Sequence, residues 1–251
     1  MKYHVMTSFN QRYWDEVAKN SVLFLDKLWH KSGDIYLYHE LPSVPQDPKL
    51  SDRCHWIDFY PTCPEVKQFA EKWKDNPMAN GGGDGGNFKL NAIKFVHKTF
   101  AIWHRYKLLD SGWLVWADCD SFLLDNLDDK FIADVFRPNI VVSYVGRPGK
   151  YSECGFLAFN LNNPLTREFL KEWETLYTSG EFVNLPETHD SWTFDYIRLK
   201  WNKPALFNDL NAGTTTNKAP FSNSRIGPYF AHAKGSDKVK TMKKISKRFK
   251  F

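Results

Sequence analysis

Cysteine is scarce: the 251 residues hold four, Cys54, Cys63, Cys119 and Cys154, and no two form a CxxC pair. That spacing argues against a structural zinc framework and for reduced thiols in a cytoplasmic protein. Long apolar runs are also missing, since nothing approaches the roughly 18 residues of a membrane-spanning helix. The opening Met1-Lys-Tyr-His-Val-Met-Thr7 lacks the apolar core of a secretory leader, so no signal peptide is expected. One glycine cluster, 81–86 between Asn80 and Asn87, does not follow a strand and does not have the GxxxxGK(S/T) form. It reads as a flexible connector or as a loop over a site, not as a phosphate loop. No internal repeat or linker divides the chain.

Aromatic residues, in contrast, make up 16% of the sequence within a hydrophobic fraction of 42%, enough for a large packed core and too much for a disordered chain. The net charge of +5 is uneven. Residues 234–251 carry eight Lys/Arg and one Asp, a local +7, which leaves about −2 for the rest. The expected organisation is therefore a near-neutral domain over 1–233 and a basic tail over 234–251. Val239, Met242, Ile245 and Phe249 recur at helical spacing in that tail. Such a segment packs on the body, lies on an anionic membrane, or is drawn to nucleic acid, as a peripheral association of a protein without a transmembrane segment.

Strand and helix patterns alternate along the chain. Tyr3 to Phe9 reads as a buried strand, and Trp14, Val17, Ser21, Phe24, Leu25 and Leu28 form the inward stripe of a helix. A second strand, Asp34 to His39, completes a βαβ unit and implies a parallel sheet. Thr7, Ser8 and Asn10 at the first strand's end either hydrogen-bond a ligand or cap the helix that follows. Cys54 to Asn76 predicts a short helix from near Pro64, and Phe88 to Leu109 a longer one, with Lys89 and Lys94 on its polar side. Cations there oppose the helix dipole, so they are either solvated or favoured by a bound phosphate. Strands follow at Asn139 to Tyr144 and Tyr151 to Asn160. Gly155 marks a close approach of ligand or backbone. Helices are expected from Pro164 and from Thr188, the latter capped by Thr188 or Asp190, with Trp192, Tyr196 and Leu199 following.

The stretch Gly112-Trp-Leu-Val-Trp-Ala-Asp-Cys-Asp-Ser121 is the most informative. A buried strand runs into Asp118 and Asp120, two residues apart and so expected on one face. Ligands of open α/β sheets sit outside such strand ends. Paired carboxylates suit a divalent cation, although a turn cap and a solvated Asp would give the same letters. Late in the chain, His232-Ala-Lys-Gly235-Ser-Asp-Lys238 has the form HxxGxxK. Its imidazole, free backbone N–H and ammonium suit a metal-bound diphosphate.

Together, Asp118-Cys-Asp120 at an internal strand end and the late HxxGxxK resemble the GT-A glycosyltransferases, in the retaining branch of glycogenin-like and lipopolysaccharide galactosyltransferase-like enzymes. The resemblance implies a single Rossmann-like α/β domain with a mostly parallel sheet flanked by helices. It implies transfer of a sugar from a nucleoside-diphosphate sugar, a UDP-sugar above all, to a hydroxyl acceptor. Asp118, Asp120 and His232 would bind Mn2+ or Mg2+, with Asp118 also reaching the ribose. Gly235, Lys238 and Lys94 would meet the diphosphate, Thr7, Ser8 and Asn10 would line the base pocket, and Asp190 would face the sugar, with Glu153 as a second candidate carboxylate. The acceptor would be a glycan or glycolipid, or a hydroxymethylated base in DNA. Where the family has Asp-Gln this chain has Asp190-Ser191, and the Trp that ends the family's histidine motif is missing. Two other classes remain open on the sequence, a metal-dependent nucleotidyltransferase and a non-catalytic basic module that binds nucleic acid.

Overall fold

The fold is described from a computed structural model over residues 1–45, 50–82, 86–213, 219–233 and 238–246. Gly235, the glycines at 83 and 85, and the end of the basic tail from 247 lie outside the described residues.

β1 (Tyr3–Phe9) leads through a helical run into α1 (Lys19–Leu28) and returns as β2 (Ile35–His39). β3 (Cys54–Asp58) follows, then α2 (Ala92–Lys107), β4 (Trp113–Ala117) and the short β5 (Ser121–Leu123). β6 (Val142–Val145) and β7 (Glu153–Asn160) precede α3 (Pro164–Thr178) and α4 (Asp190–Lys200). β8 (Phe207–Asp209), β9 (Phe230–His232) and α5 (Lys238–Ser246) close the described chain. Seven strands make one sheet in the order β3-β2-β1-β4-β7-β6-β8. β1 is parallel to both β2 and β4, β2 to β3, and β6 to β8; β7 runs against both of its neighbours. The sheet is therefore mostly parallel, as expected. The chain leaves β1 toward β2 and β3 and then crosses back to β4, so the strand order reverses between β1 and β4. That reversal opens a crevice beyond their carboxyl ends.

Both sheet faces are covered, and β7 alternates between them. Leu157 and Phe159 join the aromatic core under α2 and α3, whereas Phe156 and Ala158 join the core on the α1 side. The helical run before and through α1 buries Trp14, Val17, Ser21, Phe24 and Leu25 as the spacing predicts. Gly180 ends the α3 segment at φ +89°, a conformation in which a side chain is strained.

Several expectations change. β3 is a strand that periodicity does not reveal. It is an edge strand with an exposed His55 and half-buried Trp56 and Ile57, so it has no apolar run to read. The helix expected from Phe88 to Leu109 is broken. Asn87 caps a single 3-10 turn, Phe88–Leu90, and Asn91 caps α2 by accepting from Lys94 N. Neither Thr188 nor Asp190 caps α4: His189 holds that position without a side-chain bond, and Thr188 Oγ1 donates to Met78 O at 2.6 Å. In α5, Ile245 is buried against Val17, Phe24 and Phe122, with Met242 packed beside it, while Lys240, Lys243 and Lys244 face solvent. The described part of the tail is thus a helix resting on the body. Among the described residues, no helix is long and apolar enough to cross a membrane.

Phe159 is fully buried where the antiparallel β7 meets the larger aromatic cluster. Phe159→Ala is expected to lower stability by about 3–5 kcal/mol, measured as a shift in the urea midpoint with unchanged slope.

Candidate active site

The crevice is built from strand ends. β4 stops at Ala117, and Ser121 N donates to Asp118 O at 2.8 Å, so residues 118–121 form a tight turn into β5. Asp118 and Asp120 therefore share a site because of this turn, not because of continued strand alternation. β5 pairs with β9 in antiparallel register, with Ser121 opposite His232. This pairing seats the imidazole against the carboxylates: His232 Nε2 lies 3.0 Å from Asp120 Oδ1 and 4.0 Å from Asp118 Oδ2. Ala233 N donates to Asp120 O at 2.9 Å and fixes the backbone behind it. Gly155 of β7 is required beside them, since a Cβ there would sit 2.8 Å from His232 Cε1 and 3.2 Å from Asp118 Oδ2. The close approach expected at this glycine is thus to the site's own side chains.

Charges alternate through the cleft. Lys238 Nζ is 2.5 Å from Asp120 Oδ2 and donates to Tyr13 Oη at 3.0 Å. Lys98 Nζ lies 2.9 Å from Asp118 Oδ1 and 2.6 Å from Asp190 Oδ2, and it donates to Cys154 O at 3.0 Å. Trp116 Nε1 donates to Asp118 Oδ1 at 2.7 Å. Burial by itself would raise the pKa of Asp120, but His232 and Lys238 outweigh it and hold the carboxyl below its ordinary range. Asp190 is held low in the same way, by Lys98 and then His189 against burial. Burial would neutralise Lys98, yet Asp118 and Asp190 keep it charged, its pKa raised well above normal.

The residues singled out in the sequence fall into three groups. Asp118, Asp120, His232, Lys238, Glu153, Asp190 and Lys94 line one cavity of about 330 Å³. Ser8 and Asn10 line an adjoining cavity of about 380 Å³ that shares Asp118, Asp120 and Lys94. Asn10 also accepts from Tyr13 N at 3.0 Å, so it caps the helical run and lines the cleft. Thr7 is elsewhere: it shares its strand face with Val5 and Phe9, is fully buried, and its Oγ1 has no partner among the described residues. Lys89 is drawn away from the cleft by Glu187, 2.6 Å distant. Glu153 lies 3.5 Å from Arg147 Nη1, and its Oε1 is 3.9 Å from His232 Nδ1.

Sequence reasoning missed Lys98, Trp116 and the outer wall of Glu40, Tyr60 and His97, where Tyr60 Oη donates to Glu40 at 2.8 Å. A trace of Lys98 was present: it stands four residues after Lys94 on one helix face, and like charges at that spacing repel unless a partner is near.

Two carboxylates and an imidazole, with ligand atoms all within 4.8 Å of one another, suit a divalent cation. The buried His232 Nδ1 has no hydrogen-bond partner among the described residues, and Glu153 Oε1 lies 3.9 Å from it.

The fold these elements make is the GT-A fold. The chain is similar to the galactosyltransferase LgtC in complex with donor and acceptor sugar analogues, at a TM-score of 0.52 and 12% identity over 100% of this chain and 97% of that one. An active-site mutant of LgtC gives a TM-score of 0.55 at 11% identity, over 100% and 97% of the two chains. Mouse xyloside xylosyltransferase 1 gives 0.50 at 13% identity, over 84% and 86%. At these identities the likeness is one of fold. No family model and no curated protein matches the chain.

Removing Lys98 tests the charge alternation. Lys98→Met is expected to cost about 3–5 kcal/mol at neutral pH, because it removes the ammonium that faces buried Asp190 and half-buried Asp118. Because the folded pKa of Asp190 is depressed, the pair's contribution is complete above about pH 4 and is lost as pH falls through the lower folded value. The stability gap between wild type and variant in urea should accordingly narrow on acidification; a gap independent of pH would contradict the pairing.

Proposed function

We propose that the protein is a metal-dependent glycosyltransferase that moves a sugar from a UDP-sugar to a hydroxyl acceptor with retention at the anomeric carbon. The observation that carries this reading is the 3.0 Å approach of His232 to Asp120, residues 112 apart in sequence, at the reversal point of a GT-A sheet. A nucleotidyltransferase has no need of that imidazole, and a passive basic module has no need of a buried charge chain.

In this reading Asp118, Asp120 and His232 hold Mn2+ or Mg2+. The bound cation supplies Lewis-acid stabilisation of the diphosphate leaving group. Ser8 and Asn10 flank the nucleoside, with Glu40 and Tyr60 on the facing wall. Lys94, exposed at the cleft, approaches the phosphate oxygens, and Lys238 adds a second ammonium. Gly235 belongs with Lys238 in this role through its N–H. Lys98 keeps Asp190 ionised and holds Asp118 beside it. Asp190, ionised and buried, faces the donor sugar and stabilises positive charge that grows on the ring as the anomeric C–O bond breaks. Glu153, beside His232 and Arg147, is the other carboxylate within reach.

The acceptor we carry is a glycan or glycolipid hydroxyl. The exposed lysines of α5 give the protein a face attractive to polyanions, which is the whole support for a hydroxymethylated base in DNA as acceptor.

The test is release of nucleoside diphosphate from UDP-sugars with Mn2+ present. Asp120→Ala is expected to reduce it by on the order of a hundredfold or more, with circular dichroism unchanged, and chelation should abolish it in the wild type. Activity unaffected by chelator would contradict the proposal, and pyrophosphate release from a nucleoside triphosphate and a sugar 1-phosphate, with no nucleoside diphosphate released from UDP-sugars, would favour the nucleotidyltransferase reading.

A further inference from the structure

Trp192, Tyr196 and Leu199 recur along α4 at the spacing of a buried helical stripe. Trp192 is half-buried where it packs against the core, and the other two are exposed. Ser191, Thr193, Phe194, Asp195 and Ile197 turn inward, leaving Tyr196 41% and Leu199 64% exposed. A helix that turns an apolar stripe outward is offering a surface, and exposed apolar patches rimmed by polar groups mark binding sites. Here the stripe floors a groove of about 750 Å³, within the range of roughly 300–1,000 Å³ typical of ligand pockets.

The groove has a definite place along the cleft. Ser8 and Asn10 line the first cavity, and the carboxylates and Lys94 line both the first and the second. Tyr151 lines both the second cavity and the groove. The groove shares no residue with the first cavity. The order is therefore nucleoside end, Asp118–Asp120–His232, Asp190, Tyr151, groove. Glu187 reinforces the junction: it lines the groove and lies 2.9 Å from His189, which lines the second cavity. The groove is also preformed. Ser152 N and Oγ donate to Asp195 at 2.6 and 2.7 Å, tying the loop that carries Lys150 and Tyr151 to α4.

We infer that this groove is the acceptor site and that it takes a saccharide, stacked by its C–H face on Trp192 and Tyr196. The inference rests on the glycosyl-transfer reading and extends it to the side of the cleft opposite the donor. The lining chemistry selects the ligand class. Aromatic faces suit the apolar face of a pyranose, and the phenol hydroxyls of Tyr151 and Tyr196 and the Lys150 ammonium suit its hydroxyls. An alkyl chain would leave those polar groups unmatched.

The test is saturation-transfer NMR with maltose, lactose, cellobiose and N,N′-diacetylchitobiose, and with decanoate as the alkyl-chain control, with UDP and Mn2+ present. Wild type should transfer saturation to ring C–H protons of at least one disaccharide. The double variant Tyr196→Ala/Leu199→Ser, which changes only exposed side chains, should bind it at least about tenfold more weakly, the loss expected of an aromatic anchor. The UDP–Mn2+ rise in melting temperature should be the same in both proteins. No signal from any of the four sugars, a signal undiminished in the variant, or a signal from decanoate alone would each overturn the inference. A melting temperature that UDP–Mn2+ fails to raise in wild type would count against the donor reading, and the sugar signal would still report on the groove.

Discussion

The pairing of two very short strands holds the site together. β5 and β9 each span three residues, yet their register puts His232 beside the turn that carries both carboxylates. Without it, Asp118 and Asp120 would be two like charges competing at a strand end, and one would take up a proton. With it, and with Lys98 and Lys238 on either side, the order of groups becomes Lys238, Asp120, the His232 imidazole, Asp118, Lys98, Asp190. Each buried charge has an opposite neighbour, the condition under which charges survive out of water. A site arranged this way is preorganised: its groups are held in place before a ligand arrives, so little reorganisation is left for the reaction.

The sheet converts this local order into an axis. Its reversal between β1 and β4 opens the crevice, β7 supplies the glycine that lets three side chains crowd together, and α4 carries both Asp190 at its inner end and an apolar stripe on its outer face. One helix therefore touches the chemistry at its start and the groove along its length. A transferase must bring two substrates together at one reacting atom.

Much of the fold was legible in the residue pattern. The helices α1 and α3 announce themselves by an apolar stripe, and β1, β2 and the aspartate-bearing strand by short apolar runs, because the sheet is covered on both faces. β3 does not, since an edge strand alternates too weakly. The turn after β4 also escaped, though the convergence of Asp118 with Asp120 did not, because a turn and a strand can bring the same pair to one site. Asp190 read as a helix cap because its partner Lys98 is 92 residues away, a pairing that no local rule sees. Lys98 itself drew no reading from the sequence. Thr7 sits one residue from the cleft face, and strand alternation turns it into the core. For Trp192, Tyr196 and Leu199 the period was visible, but a period cannot tell a core from a groove. The link from His232 to Asp120 came from motif chemistry and not from pattern, and the two groups lie within hydrogen-bonding distance.

The central claim is that the imidazole of residue 232 and the aspartates serve one ion. Pulsed electron paramagnetic resonance on the Mn2+–UDP complex tests it most directly, since it detects a nitrogen bonded to the metal. The account predicts nitrogen coupling from a directly bound imidazole in the wild type and its loss in His232→Gln. Bound Mn2+ without any nitrogen coupling in the wild type, or coupling that persists in the variant, would contradict it.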